Sequence, residues 1–158
     1  MIREFNPASD SEDLTKCIIE LQNHECQFDS RMPKGEQIAG GYIADMLEKC
    51  RKYNGIILVV DKGEGVAGYL TLLINVPIDE IYEGEYEYAL VSDIVVLEQF
   101  KGRGYGKLLL NEATRIARDK NAQWLRLSVL SENQAAKTLY KKAGFQELYV
   151  DMEKDLSQ

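Results

Sequence analysis

Between Phe100 and Leu108 the chain reads Lys101-Gly102-Arg103-Gly104-Tyr105-Gly106-Lys107, glycines alternating with cations and a tyrosine. These residue types at this spacing suit an anion. Glycine lets the backbone approach a ligand closely, and a helix that begins here offers free N–H groups and the positive end of its dipole. Lys101, Arg103 and Lys107 add positive charge in a chain whose net charge is −7. Neither common nucleotide loop fits. A G-x-x-x-x-G-K-[ST] loop needs one more residue between Gly102 and Gly106, and it would put Leu108 where a magnesium-binding hydroxyl belongs. A G-x-G-x-x-G fingerprint would need glycine where Lys107 stands.

A second cluster lies downstream: Asn133, Ala136, Leu139, Tyr140, Lys142, Gly144 and Phe145. Tyr140 places a phenol on an amphipathic helix, where by itself it reads as a packed aromatic. Asn133 opens the helix, where it can cap the first turn. The two segments, Lys101-x-x-Gly104-x-Gly106 and Asn133-x-x-Ala136-x-x-Leu139-Tyr140-x-Lys142-x-Gly144-Phe145, resemble the two signatures of the GNAT superfamily of N-acetyltransferases. Lysine at 101 departs from the family's Gln or Arg. By motif the likeness covers about residues 93–146.

The resemblance implies a fold, a cosubstrate and roles. The fold is a mostly antiparallel mixed sheet flanked by about four helices, with two strands splayed around the site. The cosubstrate is acetyl-CoA. Its diphosphate would rest on residues Lys101 to Lys107. Its pantetheine arm would lie against the backbone of Ile94, Val95 and Val96, where their strand parts from the one near Leu127 to Leu130. An N–H near Val95 would polarise the thioester carbonyl, Asn133 would contact CoA, and Tyr140 would protonate the departing thiolate. No cysteine lies in either signature, so transfer to the amine is expected to be direct. Relatives commonly dimerise, which leaves a homodimer open.

The base is not where the family usually places it. Many relatives carry a glutamate four residues before the position of Ile94, and here that residue is Leu90. Asp93, Glu87 and Glu85 fall on the other face of an ideal strand, although a bulge would re-aim Asp93. Asp93 is therefore the candidate base, beside a water relay to another carboxylate. His24, the single histidine, either reaches substrate or completes the end of the first helix. On the acceptor side, Glu20, Glu25 and Asp29 flank the first interhelical region. Asp79, Glu80, Glu83, Glu85 and Glu87 crowd a loop interleaved with Tyr82, Tyr86 and Tyr88. Carboxylates with aromatic faces suit a cationic amine such as a polyamine, an amino sugar or a basic peptide end. A solvated hairpin edge would look the same. A catalytically silent acyl-CoA-binding module and an antibiotic-modifying enzyme are the alternatives.

The elements that must hold these groups follow from periodicity. Ile2–Phe5 reads as a strand. Ser9 to Glu12 has capping-box spacing ahead of a helix carrying Leu14, Cys17, Ile18 and Leu21. A second helix follows Pro33. Residues 56–60 and 66–76 form a hairpin around Gly63 and Gly65. Residues 86–97 read as the longest strand, then a helix after the glycines, a strand over 124–130, a helix over 133–143 stopped by Gly144, and a last strand over 145–152. The order is β-α-α-β-β-β-α-β-α-β, an α/β or α+β domain spanning residues 1–158.

Composition bounds the rest. With 158 residues, about 68–70% of the unfolded surface can be buried without a disulfide or metal. The negative balance disfavours nucleic acid, and no apolar run approaches the ~20 residues of a membrane span. The N-terminus lacks a signal-peptide pattern. The three cysteines, with no C-x-x-C, read as free thiols of a cytoplasmic protein rather than metal ligands.

Overall fold

The computed structural model describes residues 1–157. A sheet of five strands runs in the order β1 (Ile2–Glu4), β2 (Ile56–Asp61), β3 (Val66–Pro77), β4 (Glu87–Val96) and β5 (Leu125–Arg126). The first three pairings are antiparallel and β4–β5 is parallel. Helices α1 (Pro7–Glu25) and α2 (Gly35–Lys52) cover one face, and α3 (Tyr105–Asp119) covers the other. Helix α4 (Gln134–Lys142) leans on the α3 side.

Burial explains the patterning. Val66 to Ile74 of β3 are all buried, as the central strand of a sheet covered on both faces requires. On the α1/α2 face Leu14, Cys17, Ile18 and Met46 pack on Val59, Tyr69 and Val95. On the other face Leu109, Leu110, Ala113 and Ala117 pack on Leu58, Val60, Leu70 and Leu72.

Three expectations change. Asn6, not Ser9, caps α1: its side chain accepts from Ala8 N at 3.0 Å, and Pro7 supplies a preset first turn. Asp10 instead receives Asn6 N at 2.8 Å and Arg3 at 2.6 Å, tying β1 to the helix start. The strand expected over 124–130 is reduced to Leu125–Arg126. The strand expected over 145–152 does not form: no ladder includes it, and Leu148, Tyr149, Val150 and Met152 are exposed. Alternating apolar residues supply strand propensity, but a strand needs a partner edge, and β5 offers two residues of ladder. The segment is tethered through side chains, Tyr149 Oη to Glu83 at 2.7 Å and Arg31 to Glu153 at 2.8 Å.

Candidate active site

The glycine segment forms a turn that runs into α3. Gly102 and Gly104 have φ of +75° and +82°, conformations that cost any other residue, and Gly104 is the N-cap of α3. Among the described residues, the consecutive amides of Gly102, Arg103, Gly104, Tyr105, Gly106 and Lys107 donate to no backbone carbonyl and no side chain; ordinary helical bonding resumes with Leu108 N to Gly104 O at 3.0 Å. A row of free N–H groups at a helix head is an oxyanion cradle. Cations surround it. Arg103 lies 5.5 Å over the Phe100 ring, Lys107 is exposed, and Lys101 pairs with Glu98. Lys62 was not legible as a participant: from the β2–β3 turn its Nζ donates to Tyr105 Oη at 2.8 Å. Only tertiary structure brings the two together.

Gly106 has a different task. A Cβ built there would meet Leu139 Cδ2 at 3.1 Å, so glycine lets α4 close onto the head of α3. That contact brings the neighbouring Tyr140 to the same side of the sheet, where it joins Ile94, Val96 and Tyr105 around one core. Burial, with a smaller contribution from Glu25, pushes the Tyr140 phenol up to about 12, so it is protonated at neutral pH and accepts no base duty. Its ring meets Phe145 edge to face at 6.1 Å. Asn133 is the N-cap of α4, its Oδ1 accepting from Ala136 N at 3.1 Å. The cap occupies its oxygen and leaves its amide group available.

The third feature is an opening in the sheet. β4 and β5 pair at Ala89↔Leu125 and Leu90↔Arg126 and no further. Leu97 N donates to Ala67 O at 2.9 Å, and Val95 O lies beside Gly68, so residues 95 and 97 spend their backbone groups on β3. By strand alternation the amides and carbonyls of Ile94 and Val96 turn towards the unpaired side. The polarising amide expected near Val95 is thus that of Ile94 or Val96, because Val95's own group is inside the ladder.

A bulge sets this alternation. Leu72 faces Val91 but Thr71 faces Asp93, so Ser92 is an additional residue in β4. Upstream, Ala89 and Val91 point to the α3 face; downstream, Val95 and Leu97 point to the α1/α2 face. Asp93 goes with the latter. Tyr42 Oη donates to its Oδ1 at 2.7 Å, while Oδ2 is buried with no partner, as is Tyr69 Oη. Burial drives the Asp93 carboxyl upward, against the Tyr42 bond. At 8% exposure Asp93 has almost no surface with which to meet an amine directly.

The acidic hairpin divides differently from its sequence. Asp79, Glu80, Glu85 and Glu87 line an open cavity of about 400 Å³ with Ile78 and Ile81. It sits at the far end of β4, roughly 20 Å of strand from Ile94 at ~3.3 Å per residue. The tyrosine faces expected to receive an amine are partly taken: Arg126 stands 5.5 Å over Tyr86 and 4.4 Å over Tyr88. His24 packs edge to face on Phe28 at 5.2 Å. Among the described residues no group of three or more potential metal ligands occurs, and no helix is long and apolar enough to cross a membrane.

A sheet that parts between β4 and β5 beside a helix-head amide row is the architecture of an acyltransferase fold, and the chain belongs to the acetyltransferase (GNAT) family, whose model matches residues 17–145. Over 74 residues it is 36% identical to the uncharacterized N-acetyltransferase YycN of Bacillus subtilis, covering 47% of each chain. Over 58 residues it is 38% identical to a thialysine N-epsilon-acetyltransferase of Bos taurus, covering 37% of this chain and 34% of that one. The chain thus spans about half or less of the length of the curated relatives it matches. Among solved structures, a transcriptional regulator from Bacillus halodurans has the same fold with a TM-score of 0.75 at 18% identity over 99% of both chains. A GNAT-family acetyltransferase from Staphylococcus aureus superposes with a TM-score of 0.71 at 17% identity, over 94% of this chain and 85% of that one.

Proposed function

We propose that the protein is an acetyl-CoA-dependent N-acetyltransferase, one catalytic domain over residues 1–158, working in the cytoplasm on a primary amine of a small cationic acceptor. The observation that carries this reading is the row of unpaired amides from Gly102 to Lys107 at the head of α3, onto which Leu139, the neighbour of Tyr140, closes. Amides in that arrangement favour a diphosphate, and Lys62, Lys101, Arg103 and Lys107 add charge of the right sign. The open backbone of Ile94 and Val96 suits the amide-bearing pantetheine arm, added like a strand. It also presents an N–H to the thioester oxygen as charge develops there.

In this mechanism CoA supplies an activated acetyl group and the chain supplies position. The amine attacks within a ternary complex. Tyr140, kept protonated by burial, gives its proton to the leaving sulfur. Asp93 supplies negative charge on the acceptor side. The net charge of −7 favours a cationic acceptor, and the free thiols of Cys17, Cys26 and Cys50 suit a reducing compartment. A thialysine acceptor in one relative is an amine of this class.

The test has two stages. Calorimetry with CoA reads the donor site, and thiol release from acetyl-CoA with a panel of primary amines reads transfer. Tyr140→Phe is expected to lower kcat by about 10²-fold, the lower range for a lost general acid, with CoA affinity within twofold of wild type. Folded protein that generates no heat with CoA refutes the reading. Binding without amine-dependent thiol release converts it to a CoA-binding module, and ping-pong kinetics exclude direct transfer.

A further inference from the structure

Glu20, Glu25 and Asp29 lie along one end of α1 and just past it, equivalent by sequence. The structure separates them. Glu20 Oε1 accepts the Glu98 amide at 2.6 Å, beside the turn that leads to the glycines. Asp29 is gripped by Arg31 at 2.6 Å, which holds it down at about 2. Glu25 is half-buried, and among the described residues its carboxylate forms no ion pair and accepts no hydrogen bond, although its backbone carbonyl accepts from Phe28 N at 2.9 Å.

Its position is specific. Leu14, Ile18 and Leu21 form the stripe of α1 that packs on the sheet face carrying Val95 and Leu97, and Glu25 continues that stripe at i+4. It is the last residue of α1, the negative end of the helix dipole, where a carboxylate is disfavoured. Burial and the charge of Asp93 both push its carboxyl upward. The groups that face this cluster come from every neighbouring element. Tyr42 and Lys49 come from α2, Tyr69 from β3, Asp93 from β4, Tyr140 from α4, and Cys17 and Cys50 from the two covering helices. The Glu25 charge is felt at Tyr42, Tyr69 and Tyr140 alike, so this carboxylate shares one electrostatic neighbourhood with the proposed acid.

We propose that Glu25 is the catalytic base, taking the proton from the acceptor's primary ammonium, with Asp93, tied to Tyr42, as the positioning carboxylate behind it. This rests on the N-acetyltransferase reading. The ammonium gives one proton to the Glu25 carboxylate, which later releases it to solvent. The amine lone pair forms the N–C bond and the C–S bond breaks. Sulfur takes the Tyr140 proton, and the second nitrogen proton restores the phenol. The sum is one amide, one CoA thiol and one proton released. A half-buried base with a raised affinity for protons is matched to an amine better than an ordinary surface carboxylate. It also selects a primary ammonium over a neutral acceptor, because an uncharged group would leave both carboxylates unpaired.

The test uses the full chain with acetyl-CoA and 1,4-diaminobutane as probe amine. Wild type is expected to show a rising limb in kcat/KM against pH. Glu25→Gln should lower kcat/KM by about 10²-fold and flatten that limb, and Glu25→Asp should restore the limb at reduced rate. Asp93→Asn should move the limb to lower pH. Independently of turnover, the ¹³C resonance of the Glu25 carboxyl should titrate above the ordinary range and fall back in Asp93→Asn. A limb that survives Glu25→Gln, or a Glu25 resonance indifferent to Asp93→Asn, overturns the proposal. CoA calorimetry on the same samples separates the two failures: a folded wild type that does not bind CoA removes the N-acetyltransferase reading itself.

Discussion

Asp93→Asn tests the electrostatics of the buried cluster without any substrate. Asp93 is buried, one oxygen bonded by Tyr42 and the other unpartnered. Asparagine keeps an acceptor for Tyr42 and removes the charge. An unsatisfied buried acceptor costs about 1–3 kcal/mol, and more when charged, while the new amide is itself poorly paired. A net gain of about 1–2 kcal/mol for the variant at pH 8 follows, or roughly 2–8 °C in Tm for a chain of this length. The sign with pH is fixed by linkage. Burial raises the folded carboxyl above its unfolded value, so the folded state holds this proton more tightly. The wild type is therefore favoured below the unfolded value, near pH 4, and loses that advantage as pH rises through the raised folded value. The asparagine variant has no such loss. Thermal unfolding of both proteins from pH 4 to 8 should give a Tm difference that widens with pH and then levels. A difference that stays constant, or narrows as pH rises, would show that Asp93 carries no buried charge and would remove the basis for its effect on Glu25.

Gly104→Ala should weaken CoA binding by about 5- to 30-fold, because the αL conformation that aims the loop amides costs alanine about 1–2 kcal/mol while a Cβ there meets no neighbour; calorimetry and Tm together distinguish lost aim from lost fold. Gly68→Ala should destabilise by about 1–3 kcal/mol and reduce CoA affinity as well, since its Cβ would stand 2.4 Å from Val95 O and push β4 towards its open side; denaturant unfolding and CoA titration check the two effects.

The sequence carried most of the frame. The β2–β3 hairpin, both core-facing stripes of α1 and α2, α3 after the glycines and α4 between Asn133 and Gly144 appear where period and punctuation put them. These signals are local. The errors are tertiary. Residues 145–152 alternate like a strand, yet strand formation depends on an edge elsewhere in the chain. Arg126 on Tyr86 and Tyr88, and Lys62 on Tyr105, join residues 38 or more positions apart, which periodicity does not register. For the candidate site, the glycine segment and Tyr140 stand out because spacing along one element defines them. Glu25 does not, because its distinction from Glu20 and Asp29 lies in what those two are already bonded to.

Ser92 adds one residue of length to β4, and that addition divides the strand into halves of opposite phase. Had β4 run through Ser92 in unbroken alternation, without a bulge, Asp93 would point at α3 and the amides of Ile94 and Val96 would close onto β3. Donor side and acceptor side would be lost in one stroke, with every side chain of the site still present. The competence of this strand is thus a matter of phase, set by where its ladder breaks as much as by which side chains it carries, and a scan that changes residues one for one would leave that phase untested.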